Sequence, residues 1–201
     1  NVFDPVTADP RVFDSDYPPL LFDTQFEIEG ALLNAILYEA QGAGPHPTVL
    51  LLHGFPGNER NLDLAQAIRR AGWNVVFFHY RGAWGSEGDF SFGHILEDVA
   101  GVVTSISAPE FAKAHRVDPG RLALVGHSMG GFAALISGAE LPSVHCVASL
   151  AGGNLGGLAK TIGSDSNQTD YFVSLIDSWS GPIRDVSGQE LLSELSNNAD
   201  R

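Results

Sequence analysis

The 201-residue sequence contains one cysteine, Cys146, so no disulfide can form within the chain. A single cysteine does not show whether the protein belongs to an oxidising or a reducing compartment, and a cytoplasmic location is slightly favoured. Because Cys146 stands in the apolar run VHCVASL, we expect its thiol to pack in the core. No apolar run approaches the roughly 18 residues that a membrane span needs, so no membrane partner is expected.

Basic residues are also scarce: 11 Lys and Arg stand against 24 Asp and Glu, which gives a formal net charge of -13. A surface with that excess of carboxylates repels phosphate groups, so nucleic acids are not expected as partners. Hydrophobic residues make up 44% of the chain, which is enough for a continuous core in one globular domain. The expected partners are small molecules.

Three segments differ in composition. Residues 1–20 are rich in Asp and Pro, which predicts an irregular surface lead-in. Residues 21–154 carry the apolar runs of a core, beginning with FDTQFEIEG and ALLNAILYEA, which predict an antiparallel hairpin that turns at Gly30. Residues 155–201 are more polar, with two modest helical patterns, and we interpret them as a cap or lid over the site.

Strand and helix patterns alternate through the core. Four short apolar runs lack strict alternation, as in strands buried on both faces: TVLLLHG, NVVFFHY, RLALVGH and HCVASLAG. Helical patterns separate them at residues 58–72, 92–107 and 129–140. This order predicts an α/β fold with a mostly parallel central sheet and flanking helices, whose ligand chemistry gathers at the carboxyl ends of the strands.

The motif GHSMGG follows one of those strands directly. With Gly126 and Gly130 on either side, Ser128 fits the G-x-S-x-G nucleophile elbow, in which a strand turns sharply into a helix and exposes the serine. The predicted strand before it and helix after it supply the context that this short pattern requires. We therefore predict that Ser128 is a catalytic nucleophile.

The motif LLHGFPG lies at the end of the first central strand. A glycine-containing loop there can direct a backbone N–H toward the carbonyl oxygen of a bound ester, and Phe55 is the predicted donor. The second donor is predicted to be the N–H of Met129, at the positive end of the helix that follows Ser128. Together these two amides would form an oxyanion hole.

LLHGFPG, HYRGAWGSEGDFSF and GHSMGG, in this order and spacing, resemble the α/β-hydrolase superfamily, particularly its esterase, dienelactone-hydrolase-like and serine-aminopeptidase-like members. The resemblance covers roughly residues 24–152. It implies a Ser-His-acid triad with no metal or organic cofactor, acting on an ester first and on an amide or peptide bond as the alternative. It also implies candidate pocket residues around Ser128: His53, His127, Arg81, Trp84 and Ser86. Of these, Arg81 is expected mainly to hold its loop by hydrogen bonds.

The three motifs do not supply the histidine and the acid of the triad. The only histidine after Ser128 is His145, which opens a predicted strand and would lie about 20 Å from the serine. The other histidines are expected to shape the site or to pack: His53, His79, His94, His115 and His127. Four aspartates of the polar segment are expected to be solvated surface groups rather than the acid: Asp165, Asp170, Asp177 and Asp185.

Two explanations are open for the incomplete triad. In the first, the chain is the front portion of a longer hydrolase, whose remaining C-terminal segment supplies two strands, the acid and the histidine. Cleavage near Arg201 would make that segment a separate chain. In the second, the protein is a non-catalytic relative that uses its pocket for binding. The first is preferred, because removing the last strands would uncover one flank of a buried sheet.

Overall fold

The structure is a computed structural model that describes residues 3–163, 166–179, 181–184 and 186–197. Asp165, Asp185 and Arg201 lie outside the described residues. The strands are β1 Leu20–Ile28, β2 Ala31–Glu39, β3 His46–Leu52, β4 Asn74–Phe78, β5 Val117–His127 and β6 Val144–Leu150. The helices are α1 Leu62–Arg70, α2 Phe92–Ser107, α3 Pro109–Ala114, α4 Met129–Glu140, α5 Leu155–Gly163, α6 Ser166–Ser178 and α7 Gly188–Asn197.

All six strands form one mixed sheet in the order β1-β2-β4-β3-β5-β6. The strands β3, β4, β5 and β6 run parallel to one another, whereas β2 is antiparallel to both β1 and β4. The predicted α/β fold with a mostly parallel sheet and an N-terminal antiparallel hairpin is confirmed. The hairpin turns at Glu29 and Gly30, whose positive φ angles of 50° and 77° suit a two-residue turn.

Helices cover both faces of the sheet, as expected for strands that are apolar throughout. On one face, Leu50 and Leu52 of β3 belong to the larger core, to which α2 and α4 contribute. On the other face, Val49 and Leu51 pack in a smaller cluster with Ala65 of α1. The strands β3 and β4 are therefore buried on both sides, in agreement with their lack of alternation.

The prediction of two buried faces is wrong for β6, which is half-buried or exposed along its whole length. This strand is at the edge of the sheet, and no other described strand pairs with its outer side. The helix α4 approaches one face so closely that a Cβ at Gly138 would lie 2.3 Å from Val147 Cγ2. On the opposite face Cys146 is exposed, so the prediction of a core thiol is also wrong.

Two helices differ from the sequence-based expectation. The helix α1 begins four residues later than predicted, because Asn61 before it has a left-handed conformation with φ 53°. The short helix α3 was not predicted and begins at Pro109, a residue suited to the first turn of a helix. Among the described helices, none combines the length and apolar character needed to cross a membrane.

The polar C-terminal segment folds into α5, α6 and α7, one helix more than predicted. Glu194 of α7 accepts hydrogen bonds from the first amides of α2, at Phe92 and Gly93 (2.9 and 2.7 Å). Between α6 and α7, the Pro182 carbonyl accepts from the Trp84 N–H at 2.7 Å. The segment is therefore tied to two loops at the carboxyl ends of the strands.

A buried ion pair anchors the loop that follows β4. Asp98 of α2 is fully buried and accepts hydrogen bonds from the backbone N–H and the Nε of Arg81. Arg81 Nη2 also donates to the His94 carbonyl and to Glu97. Burial raises the pKa of Asp98, and the donors of Arg81 oppose that shift. The Arg81 guanidinium thus holds the loop by hydrogen bonds.

Replacing Asp98 by alanine is expected to lower the free energy of unfolding by about 3–5 kcal/mol, because it leaves Arg81 buried without its main partner. The matched control is Asp118→Ala, which removes an exposed Arg121 pair and should cost about 1 kcal/mol or less. Urea denaturation of both variants measures the difference. Equal losses in the two variants would contradict the assignment of Asp98 as an anchor.

Candidate active site

Ser128 occupies a strained turn between β5 and α4. Its φ of 54° and ψ of -117° lie in a region that residues with side chains rarely adopt, at a cost of about 1–3 kcal/mol. The surrounding structure holds it there: the Ser128 N–H donates to Leu150 O at 3.0 Å, and its carbonyl accepts from Phe132 and Gly153 at 3.1 and 3.0 Å. The turn is thereby fixed to the end of β6.

Glycines make this turn possible because strand and helix cross with no room for side chains. A Cβ at Gly126 would lie 2.0 Å from the carbonyl oxygen of Gly130. A Cβ at Gly130 would lie 2.2 Å from Leu52 O, at the end of β3. Both positions of the G-x-S-x-G pattern are therefore required by backbone contacts.

The loop after β3 lies directly beside Ser128. A Cβ at Gly54 would be 3.0 Å from Ser128 Cβ, which places the next residue, Phe55, at the serine. The backbone N–H groups of Phe55 and Met129 form no hydrogen bond with any described residue. Met129 is the first residue of α4, where the helix dipole is positive. Two unused donors thus lie on either side of the serine.

Aromatic side chains surround the Phe55 ring. Its centroid lies 5.4 Å from that of Phe90, 6.4 Å from that of Phe92 and 5.9 Å from that of Trp179, which follows α6. A groove of about 540 Å³ lies between α2, α4, α5 and α7, and Phe92 is one of its lining residues. Its apolar lining comes from both the core and the C-terminal segment: Phe92, Leu96, Phe132, Ile136, Leu155 and Leu195.

Two buried histidines, His53 and His79, are in contact near the loop after β3, with 3.3 Å between His53 Nε2 and His79 Nδ1. Burial lowers the pKa of His53 to about 4 and that of His79 to about 3. Both rings are therefore neutral at pH 7. Within the described part of the chain, Ser128 Oγ forms no hydrogen bond, so neither imidazole is placed to take its proton.

The other candidate pocket residues have different surroundings. Ser86 is buried, where its hydroxyl donates to His79 O and accepts from the Asn34 N–H, both at 3.0 Å. Trp84 is half-buried, stacks on His79 at 5.8 Å and donates from Nε1 to Pro56 O at 2.7 Å. His127 is half-buried, and its Nδ1 is enclosed without a hydrogen-bond partner in the described part of the chain.

Three further histidines lie elsewhere. His145 is exposed near the start of β6, at the opposite end of that strand from Leu150, as expected. His94 is in the first turn of α2 and contacts Asp89 O, whereas His115 contacts Glu39 Oε1 at 2.8 Å. In the polar segment, Asp170 and Asp177 are exposed. The described residues hold no cluster of three or more ligand side chains arranged for a metal ion.

Comparison with known proteins gives a family and several related folds. The profile of the Alpha/beta hydrolase family matches residues 49–196. No curated protein sequence matches the chain. Acetyl xylan esterase 1 from Thermoanaerobacterium sp. JW/SL YS485 has a TM-score of 0.63 and 22% identity, over 94% of this chain and 65% of that chain.

Two further structures are esterases by name. Est1E from Butyrivibrio proteoclasticus, bound to ferulic acid, has a TM-score of 0.60 and 22% identity, over 69% of this chain and 56% of its own. The carboxylesterase EstE1, cloned from a metagenomic library, has a TM-score of 0.52 and 25% identity, over 62% of this chain and 42% of its own. The chain thus spans about half the length of these two structures.

Gly126→Ala is expected to destabilise the protein by at least about 3 kcal/mol, because the new methyl group would overlap the Gly130 carbonyl. The control is Gly181→Ala, where no atom lies within 4 Å and a change within about 0.5 kcal/mol is expected. Urea denaturation provides the measurement. A Gly126→Ala variant as stable as the parent would show that strand and helix do not cross so closely.

The free energy of unfolding is expected to fall as the pH drops from about 6.5 to 4. Over that range the unfolded chain binds protons on His53 and His79, whereas the folded protein does not. Each histidine contributes at most about 1.4 kcal/mol per pH unit. Urea denaturation from about pH 7 to about pH 5 measures the slope.

His79→Phe should remove about half of that slope, because only one of the two buried rings then takes up a proton on unfolding. The other titrating groups are the same in the parent and the variant, so the difference between them isolates the His79 ring. An unchanged slope in His79→Phe would mean that this histidine is not held neutral by the fold.

Proposed function

Because the chain belongs to the Alpha/beta hydrolase family, we propose that it is a serine hydrolase that cleaves a carboxylic ester through an acyl-enzyme on Ser128. The observation that carries the proposal is the strained Ser128 turn with two free amides beside it. A residue held in so unfavourable a conformation is typical of a functional position rather than of a packing turn. Esterases among the related structures also support the reaction class.

The proposed reaction begins when Ser128 Oγ attacks the ester carbonyl carbon. The carbonyl oxygen becomes an oxyanion, to which the N–H groups of Phe55 and Met129 donate hydrogen bonds. When the tetrahedral intermediate collapses, the C–O bond to the alcohol breaks and the acyl group stays on Ser128. Water then attacks the acyl-enzyme and releases the acid. Each such amide donor contributes about 3 kcal/mol of transition-state stabilisation.

A general base is needed to take the Ser128 proton, and we propose that a histidine and its acid partner come from a further C-terminal segment of a longer protein. The position of β6 supports this proposal, because no other described strand pairs with its outer edge, and Ala148 and Leu150 lie open on the face away from α4. A further strand beside β6 would end near Ser128, since parallel strands share their carboxyl edge. The alternative, a non-catalytic ligand-binding relative, would need no such segment.

The substrate proposed is a small or medium-sized ester with an apolar part. Phe55, whose N–H is one of the free amides, contacts Phe92 of the groove of about 540 Å³, and the apolar lining of that groove would receive the apolar part. Glu97, Glu140 and Glu194 lie along the same groove, so an anionic ester would be repelled. Amide and peptide substrates are the alternative within the same mechanism.

A fluorophosphonate probe is expected to label Ser128 in the protein as its gene encodes it, because the probe reacts only with an activated serine. Ser128→Ala should abolish the labelling and lower kcat for p-nitrophenyl acetate by at least about 10⁴-fold. The control Ser178→Ala changes an exposed serine of α6 and should leave both readouts intact. Peptide mapping by mass spectrometry identifies the labelled residue.

Two further measurements complete this test. Intact mass of the gene product shows whether a C-terminal segment follows these residues, and aminoacyl anilides compared with p-nitrophenyl esters separate a peptidase from an esterase. Absence of an adduct on Ser128 in the full gene product would refute the enzyme and favour the binding protein.

A further inference from the structure

A second groove, of about 520 Å³, lies on the α1 side of the sheet, where β1, β2 and β4 meet. Its volume falls within the range of about 300–1,000 Å³ that is typical of small-molecule sites. The groove is separate from the residues proposed to react. The site it forms depends on His79, a buried histidine that the proposed reaction does not use.

Strand pairing arranges the floor of this groove in two rows. In the polar row, Gln25 of β1 pairs with Asn34 of β2, and the Asn34 carbonyl accepts from the N–H of His79 at 2.8 Å. In the other row, Asp23 pairs with Ile36, which pairs with Phe77. Strands lie about 4.8 Å apart and residues i and i+2 about 7 Å, so the floor measures about 10 by 7 Å.

The tautomer of His79 follows from that of His53, the histidine that it contacts. His53 Nδ1 is 2.7 Å from the Gly54 carbonyl, which can only accept, so Nδ1 carries the single proton of the neutral ring. His53 Nε2 is then an acceptor, and it receives the N–H of His79 Nδ1 at 3.3 Å. Because His79 is neutral as well, its Nε2 holds a bare lone pair.

That lone pair has no partner in the described part of the chain, although the His79 residue is only 7% exposed. The His79 Nε2 atom is not fully enclosed. Among the described residues, the fully enclosed side-chain polar atoms without partners are Asn61 Nδ2, His127 Nδ1 and Ser137 Oγ, and His79 Nε2 is not one of them. His79 lines the groove, and Nε2 is the side-chain acceptor that it can offer to a ligand there.

The other polar side chains also present acceptors. Asn34 Nδ2 donates to Trp84 O at 3.4 Å, which fixes the amide so that Asn34 Oδ1 accepts from Gln25 Nε2 at 2.9 Å. Gln25 Oε1 is left free. Asp23 is exposed and forms no hydrogen bond or ion pair with the described residues. Three acceptors therefore border the half-buried side chain of Ile36, beside which Phe77 is fully buried.

We propose that this groove binds a neutral, ring-shaped polyol of monosaccharide size, whose hydroxyl groups donate to His79 Nε2, Gln25 Oε1 and the Asp23 carboxylate. A six-membered ring fits a floor of about 10 by 7 Å, and its C–H face would lie on the half-buried Ile36. A neutral ligand is favoured because two of the three acceptors, His79 Nε2 and Gln25 Oε1, carry no charge. Hydroxyl–carboxylate hydrogen bonds are among the stronger polar contacts.

The test compares two probes that share a ring: methyl β-D-xylopyranoside, which has three hydroxyl donors, and tetrahydropyran, which has none. Isothermal titration calorimetry is expected to show binding of the xyloside only. In ¹⁵N NMR of the imidazoles, the xyloside should move the His79 Nε2 resonance to lower frequency, as when a lone pair accepts a hydrogen bond. This readout does not depend on any hydrolytic activity.

Two substitutions test whether the xyloside binds in the groove. His79→Phe and Asp23→Ala should each weaken xyloside binding by about tenfold, the value of one hydrogen bond. The second substitution is on the exposed face of an edge strand, so it tests the site without disturbing the core. The control His94→Gln, outside the groove, should bind as the parent does.

Three results would overturn the proposal. These are equal binding of tetrahydropyran and the xyloside, unchanged binding by both groove variants, and tighter binding of n-butylammonium than of the xyloside. The last would mean that the charge of Asp23, rather than the acceptor array, selects the ligand. None of them bears on Ser128, so the proposal and the esterase assignment fail independently.

Discussion

The close crossing of β5 and α4 is the constraint on which the candidate site depends. Gly126 and Gly130 let the two backbones touch, and the turn between them then holds Ser128 at φ 54°. The ends of β3 and β6 complete the arrangement through Leu52 O and Leu150 O. A single residue conformation therefore relies on three parallel strands that end at one edge of the sheet. Strain of this kind persists only where surrounding contacts over-determine it.

Carboxylates fix loops at both edges of the sheet. Asp98 holds the loop after β4 at the edge where Ser128 lies, whereas Glu39 contacts His115 and Arg116 near the start of β5, at the opposite edge. Glu194 of α7 caps α2 from a distant part of the sequence. Where such donors are buried, leaving one without its acceptor costs about 1–3 kcal/mol. These contacts therefore hold the connections at both edges.

Burial has opposite consequences for two roles that a histidine can play, that of general base and that of hydrogen-bond acceptor for a ligand. It lowers the pKa values of His53 and His79, so both rings are weak bases, and neither forms a hydrogen bond with Ser128 Oγ. The tautomers that their contacts fix leave the Nε2 lone pair of His79, a residue that lines the groove between β1, β2 and β4, without a partner among the described residues. An imidazole that is unsuitable as a general base at one site is in this way a defined hydrogen-bond acceptor at another.

By itself the sequence determined the α/β architecture, the hairpin turn at Gly30 and the setting of Ser128, since apolar runs, helical spacing and glycines are local signals. The helices α2 and α4 begin and end where the pattern predicts. Only the tertiary structure decided that Cys146 and most of β6 are exposed, that Arg81 pairs with Asp98, and that His79 faces a groove. Burial and tautomers depend on neighbours distant in sequence, which no local pattern specifies.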